Sequence, residues 1–80
     1  MHELGLTRNI IAIVSEHAGE RRVKRVQVAV GPQACVEQQA LSFCFGIVTE
    51  GTVLEGADLE FIEAEGDAFL IKEYEFREVA

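Results

Sequence analysis

Leu6, Ile10, Ile13 and Val14 recur at helical spacing near the start of the chain, with Ile11 alongside. Apolar residues at i, i+3, i+4 and i+7 line one face of a helix, so the pattern predicts an amphipathic helix from about residue 4 to 18. Gly5 weakens its first turn, and Ala18-Gly19 supplies a stop. Arg21, Arg22, Lys24 and Arg25 then read as a solvated basic connector. Val26, Val28 and Val30 alternate with Gln27 and Ala29, which predicts a strand with one valine face, ended by Gly31-Pro32. From about residue 33 to 50 the helical period returns. Val36, Ala40, Phe43, Cys44 and Ile47 fall on one face, Leu41 and Val48 flank it, and Glu37, Gln38 and Ser42 face away. Gly51 closes this helix.

Leu59 and Phe61 alternate with Asp58, Glu60 and Glu63, giving a second strand. Ala64-Glu65-Gly66-Asp67 is a short turn. Phe69 and Ile71 begin a third strand that Tyr74 and Phe76 continue, and between the two pairs the apolar phase slips by one residue. An inserted residue near Lys72-Glu73, a β-bulge, would return all four to one face; the alternative is two short strands with a bend. The order α-β-α-β-β predicts an α+β fold: two helices packed on one face of a three-stranded mixed β-sheet. The strand–helix–strand unit over 23–63 fits a right-handed parallel crossover, and strands two and three fit an antiparallel hairpin. The other sheet face, with Glu60 and Lys72, should be wet or form an interface.

Eighty residues make a single domain over 1–80 with a modest core. Apolar residues are 49% of the chain, too many for a disordered segment. The net charge of −7 argues against nucleic acid as a partner. Eleven acids lie from Glu37 onward, against only Lys72 and Arg77. Such a surface keeps a small protein soluble and could also steer a basic partner. Ile10–Val14 is too short to span a membrane and is preceded by Arg8-Asn9, so the cytoplasm is the expected compartment.

Candidate chemistry is sparse. Within one helix, Cys35 and Cys44 would lie roughly 13 Å apart along the axis, too far for a disulfide. Neither belongs to a Cys-x-x-Cys pair, and both read as buried free thiols. His17 reads as structural or surface. There is no Ser-His-Asp or Cys-His set at a recognisable spacing and no phosphate loop, since Gly31 is followed by Pro32 and Gln33. Glu60, Glu63, Glu65 and Asp67 read as solvated acids that protect a sheet edge. No enzymatic activity is expected. The feature with chemical content is Met1-His2-Glu3. A histidine beside a free terminus offers the α-amine, backbone amides and the imidazole within three residues, a nitrogen-rich set that suits square-planar Ni(II) or Cu(II).

The chain resembles the HypA/HybF family of hydrogenase maturation factors. The matching stretches are Met-His-Glu-Leu-Gly-Leu-Thr at 1–7, Arg-Val-Gln-Val-Ala-Val-Gly at 25–31 and Leu-Ser-Phe-Cys-Phe at 41–45. Thr-Glu-Gly-Thr at 49–52, Glu-Gly-Ala-Asp-Leu-Glu at 55–60 and the closing strand at 69–76 also match. The resemblance implies a nickel metallochaperone-like accessory factor for [NiFe]-hydrogenase or related metalloenzyme maturation. Its transient Ni(II) would be held by Met1, His2 and Glu3, through the Met1 amine, the His2 imidazole and the backbone nitrogens of His2 and Glu3. The implied partner is a maturation GTPase or the hydrogenase large subunit, with no nucleic acid and no membrane. Typical members insert a zinc domain, held by two Cys-x-x-Cys pairs, between the last two strands. Here only Ala64-Glu65-Gly66-Asp67 stands there, so no structural zinc is expected. The alternative is a degenerate paralogue, a metal-free interaction module of the same pathway. An uncovered edge strand could also give a homodimer.

Overall fold

The structure, a computed structural model, describes residues 3–78. It contains α1 (Glu3–Ala18), β1 (Val23–Val30), α2 (Gln38–Val48), β2 (Asp58–Glu63) and β3 (Phe69–Phe76). The three strands form one mixed sheet in the order β2-β1-β3, with β1 parallel to β2 and antiparallel to β3. Both helices lie on one face, α1 against β3 and α2 against β2. The expected α+β architecture is therefore present.

Position in the sheet follows apolar content. Val23, Val26, Val28 and Val30 of β1 are all buried, and beneath the helices they meet Ile10, Val14 and Ala18 of α1 and Phe45 of α2. Full burial of a valine, leucine or isoleucine side chain contributes about 1.5–3 kcal/mol, so the most valine-rich strand gains most by taking the centre. Leu54, also fully buried, comes from the loop after α2. Thr49 Oγ1 donates to the Phe45 carbonyl at 2.6 Å, Thr52 Oγ1 donates to the Thr49 carbonyl at 2.7 Å, and the Leu54 N–H donates back to Thr52 Oγ1 at 3.1 Å. Gly51, at φ 81°, makes the reversal that these bonds close.

The third strand carries the expected bulge. Gln27 pairs with Glu73 and Val28 with Ile71, which leaves Lys72 as the extra residue. Phe69, Ile71, Tyr74 and Phe76 consequently all pack against the core. A second shift skips Lys24 on β1, because Val23 pairs with Phe76 and Arg25 with Glu75.

Several expectations are corrected. The last two strands are not a hairpin: β2 and β3 sit on opposite sides of β1. Their connection, Ala64–Ala68, crosses the end of β1. It is tied there by bonds from the Ala64 N–H to the Val30 carbonyl, the Gly31 N–H to the Ala68 carbonyl and the Gln33 N–H to the Gly66 carbonyl. The crossing is close enough that a Cβ on Gly31 would lie 2.2 Å from the Gly66 carbonyl oxygen and 2.7 Å from that of Glu65.

The second helix begins at Gln38 rather than near 33. The Ala34 N–H turns back to the Gly31 carbonyl, and Cys35 takes φ 57°, so a helical run cannot pass through this segment. Cys35 is thus outside the helix and exposed, and Cys44 is only half-buried, so the buried-thiol reading fails while both remain free thiols. The helix is also rotated from its expected phase. Leu41 (0% exposed) and Phe45 (3%) form its buried face, whereas Phe43 (70%) and Ile47 (53%) face out. Leu-Ser-Phe-Cys-Phe-Gly-Ile-Val is apolar on most of its circumference, so local periodicity cannot select the face and the sheet does.

The basic residues are not a free connector either. Lys24 and Arg25 lie within β1, and the Arg21 guanidinium stacks 3.9 Å from the Phe76 ring centroid.

Two sets of variants test this packing by urea or thermal unfolding. Gly31→Ala is expected to cost about 2 kcal/mol or more, because the obstacle is backbone that cannot swing aside; an unchanged midpoint would contradict the crossing. Phe45→Ala is expected to cost about 3–5 kcal/mol, while Phe43→Ala stays within about 0.5 kcal/mol of the parent. The reverse order would restore the expected helix phase.

Candidate functional site

Met1 and His2, two of the three residues of the expected nickel site, lie outside the described residues. The third, Glu3, opens α1 and is half-buried. Its carboxylate crosses to the other helix, where Oε2 accepts the Glu37 backbone N–H at 3.1 Å. Glu37 is itself the N-cap of α2, and its Oε1 accepts the Gln39 N–H at 3.0 Å. An acidic side chain at a helix start satisfies donors that have no partner within the helix. Two glutamates thus join the starts of α1 and α2.

Sequence reasoning missed Glu37 in this role. Ser, Thr, Asp and Asn are the usual N-caps, so Glu37 carried no capping signal, and its distance of 34 positions from Glu3 hides the contact. The donor set fits nickel chemically. An amine, an imidazole and backbone amides are nitrogen donors that a square-planar ion accepts, and Glu3 stands at the point where such a chelate would meet the folded domain.

Among the described residues, no cluster of three or more His, Cys, Asp or Glu side chains could hold an ion. The exposed Cys35 thiol donates to the Gln33 carbonyl at 3.6 Å. His17 is exposed at the end of α1, and a 2.6 Å hydrogen bond joins its Nδ1 to the Tyr74 hydroxyl. Tyr74 packs edge-on against Phe76, which with the Arg21 stack closes the α1–β3 seam. The surface reading of His17 gains a specific partner here.

The open face of the sheet is organised around one cation. Arg25 donates from Nη2 to Glu73 at 2.9 Å, from Nη1 to Glu60 at 3.1 Å and from Nε to Glu75 at 3.2 Å. The bond to Glu73, then that to Glu75, raises its pKa further above its ordinary value, against a smaller opposing desolvation. Glu60 therefore serves in a network that spans all three strands. Beyond this network the paired residues Ile62, Ala29 and Leu70 form an apolar row across the sheet. A groove beside β3, lined by Leu6, Asn9, Ile10, Ile13, Phe69, Leu70 and Ile71, is mostly apolar and shares Leu70 with that row. Neither surface assembles a nucleophile with a base. No described helix is long and apolar enough to cross a membrane.

Comparisons with known proteins agree with this architecture. Residues 1–69 match the family described as hydrogenase/urease nickel incorporation, metallochaperone, hypA. A hydrogenase maturation factor HypA of Trichodesmium erythraeum is 52% identical over 66 residues, covering 82% of this chain and 58% of the relative. One from Nostoc punctiforme is also 52% identical, with the same coverage. One from Azotobacter chroococcum is 39% identical over 74 residues, 89% of this chain and 66% of the relative. The chain thus spans rather more than half the length of the first two relatives. The solution structure of the nickel metallochaperone HypA from Helicobacter pylori shares the fold, with a TM-score of 0.68 and 18% identity, over 100% of this chain and 95% of that one. A match over residues 1–69, in a fold with the same arrangement of elements, establishes that the chain belongs to the HypA family of hydrogenase/urease nickel-incorporation metallochaperones.

Proposed function

We propose that this protein carries Ni(II) as cargo at its N-terminus and passes it to a partner during maturation of a [NiFe]-hydrogenase or related metalloenzyme. The observation that carries this reading is the placement of Glu3. Glu3, the last residue of the Met-His-Glu segment, opens α1 and is hydrogen-bonded to the N-cap of α2. The Met1 amine, the His2 imidazole and the backbone nitrogens of His2 and Glu3 would form the donor set. Weak, exchangeable binding suits delivery.

We assign the chain a single nickel-binding domain over 1–80. The five-residue connection Ala64–Ala68 stands where the resemblance calls for a zinc domain. The partners proposed are a maturation GTPase or the hydrogenase large subunit, in the cytoplasm, with no catalytic step by this chain. The β2 and β3 edges of the sheet leave homodimerisation as a further arrangement for solution measurements to decide. A second reading, docking without metal, is favoured by the outward Phe43 and Ile47 of α2 and by the open sheet face.

Titration of Ni(II) and Zn(II) into untagged protein with a native Met1, by calorimetry and absorbance, separates the two readings. One nickel per chain with a square-planar band is expected. His2→Ala should abolish stoichiometric binding while moving the melting temperature by no more than about 4 °C, as a surface substitution does. Nickel binding indifferent to His2 would leave the docking reading. Because the ligands bind deprotonated, affinity should fall as pH drops through the ordinary ranges of the α-amine and imidazole, about 8 to 6.5; a flat profile from pH 8 to 5 would exclude this donor set.

A further inference from the structure

We infer that the Glu3 carboxylate is a positioning group rather than a nickel ligand, and that through it nickel loading is read by the first turn of α2. This rests on the nickel site proposed above and adds a role for a side chain of that site. In the proposed donor set Glu3 contributes its backbone nitrogen. Its carboxylate is committed elsewhere, because Oε2 holds the Glu37 N–H at 3.1 Å. The two functions share one Cα. A planar chelate that includes the Glu3 nitrogen restricts the backbone leading into α1 and so restricts the orientation of the Glu3 side chain.

The receiving end is equally specific. Glu37 has extended backbone angles, φ −85° and ψ 105°, and its carboxylate caps Gln39. An N-cap sets the direction in which the helix leaves its preceding loop. The segment before it is anchored at Ala34, which is buried in the core, and by the Gln33 and Ala34 N–H bonds to the Gly66 and Gly31 carbonyls, while Cys35 and Glu37 are exposed and Val36 is half-buried. Between that anchor and the helix, the bond from Glu3 is the side-chain restraint that reaches the N-cap backbone from α1. α2 is also the helix that presents Phe43 and Ile47 to solvent. Order gained or lost at its first turn acts on the helix that bears those side chains. Coupling between two sites is reciprocal. If the Glu3–Glu37 clamp favours nickel by holding the chelating arm in place, nickel must favour the clamp by the same factor.

Hydrogen exchange and amide NMR shifts, with and without Ni(II), test the inference alongside the absorbance titration. Low-spin square-planar Ni(II) is diamagnetic, so amide signals near the site remain readable. In the parent, nickel should slow exchange at the Glu37 N–H and at the Gln39 and Leu41 amides. Glu3→Ala should keep one nickel per chain and the same absorbance band, since its backbone nitrogen remains. Its affinity should fall about five- to tenfold, and nickel should no longer protect α2. Glu3→Gln retains a side-chain acceptor and should recover most of both effects.

The inference is overturned if Glu3→Ala abolishes the square-planar band, which would make the carboxylate a ligand. It is equally overturned if the parent binds nickel with the expected band and the α2 amides exchange at unchanged rates. In both cases the N-terminal nickel reading survives. If the parent binds no nickel at all, that reading fails and this one fails with it. A thermal melt of apo Glu3→Ala that stays cooperative guards against loss of fold as the cause.

Discussion

The link from β2 to β3 has to pass over the end of β1, and the absence of a side chain at position 31 permits it. With Gly31 in place the Gly66 carbonyl can sit against the backbone of β1 and accept the Gln33 N–H. This closure lets β2 and β3 occupy opposite edges, so that the four valines of β1 lie at the centre beneath both helices. The order of the sheet, the burial of the core and the position of each helix depend on that crossing. It also fixes the segment after Gly31. The chain must turn at Pro32–Ala34 before α2 can start, which brings Glu37 within reach of Glu3.

Residues whose partners are close in sequence, or whose pattern has one solution, were legible from the chain alone. Leu6, Ile10, Ile13 and Val14 predict one helical face; Ile10 and Val14 are buried on it, whereas Ile13 at its edge stays exposed. Val26, Val28 and Val30 allow one strand face. The phase slip between Ile71 and Tyr74 fits a bulge, and the pairing of Val28 with Ile71 and Gln27 with Glu73 supplies it. The orientation of α2 was not legible, because five apolar side chains between Leu41 and Ile47 leave no polar face to point outward. The hairpin was misread for a related reason. A four-residue turn between two strands favours direct pairing, and only the greater burial available to a valine-rich centre argues for β1 between them.

Electrostatics follows the same division. The cluster of basic residues at 21–25 looks alike along the sequence, yet the bulge at Lys24 separates its members. Arg25 projects to the open face and meets Glu60, Glu73 and Glu75 from the two neighbouring strands, whereas Arg21 turns to the aromatic seam at Phe76. Each pair is surface-exposed and individually weak. Their arrangement matters more for register, since a slip of β2 or β3 by one residue would turn the matching glutamate to the other face. The network therefore favours this sheet pairing; beyond it, Leu70 stays exposed, Ile62 is half-buried and Ala29 between them is buried.

For the candidate site the sequence offers only a donor chemistry, and the long-range contact of Glu3 is seen only in the fold. A Met-His-Glu that begins a chain with a free α-amine offers a nitrogen-rich donor set by itself, because all the donors are local. What distinguishes this chain is that the last residue of the motif is also the first residue of a helix with a long-range contact. A floppy terminal tripeptide would bind an ion without consequence for the domain. One whose third residue grips the N-cap of the neighbouring helix exchanges free energy with the fold, since constraint on one side of the Glu3 Cα is constraint on the other. A carrier must be distinguishable to its partner when loaded. An eighty-residue chain with one small core has little capacity for a large conformational change, so a local change in the order of one helical turn, beside exposed apolar side chains, is a distinction this fold can support.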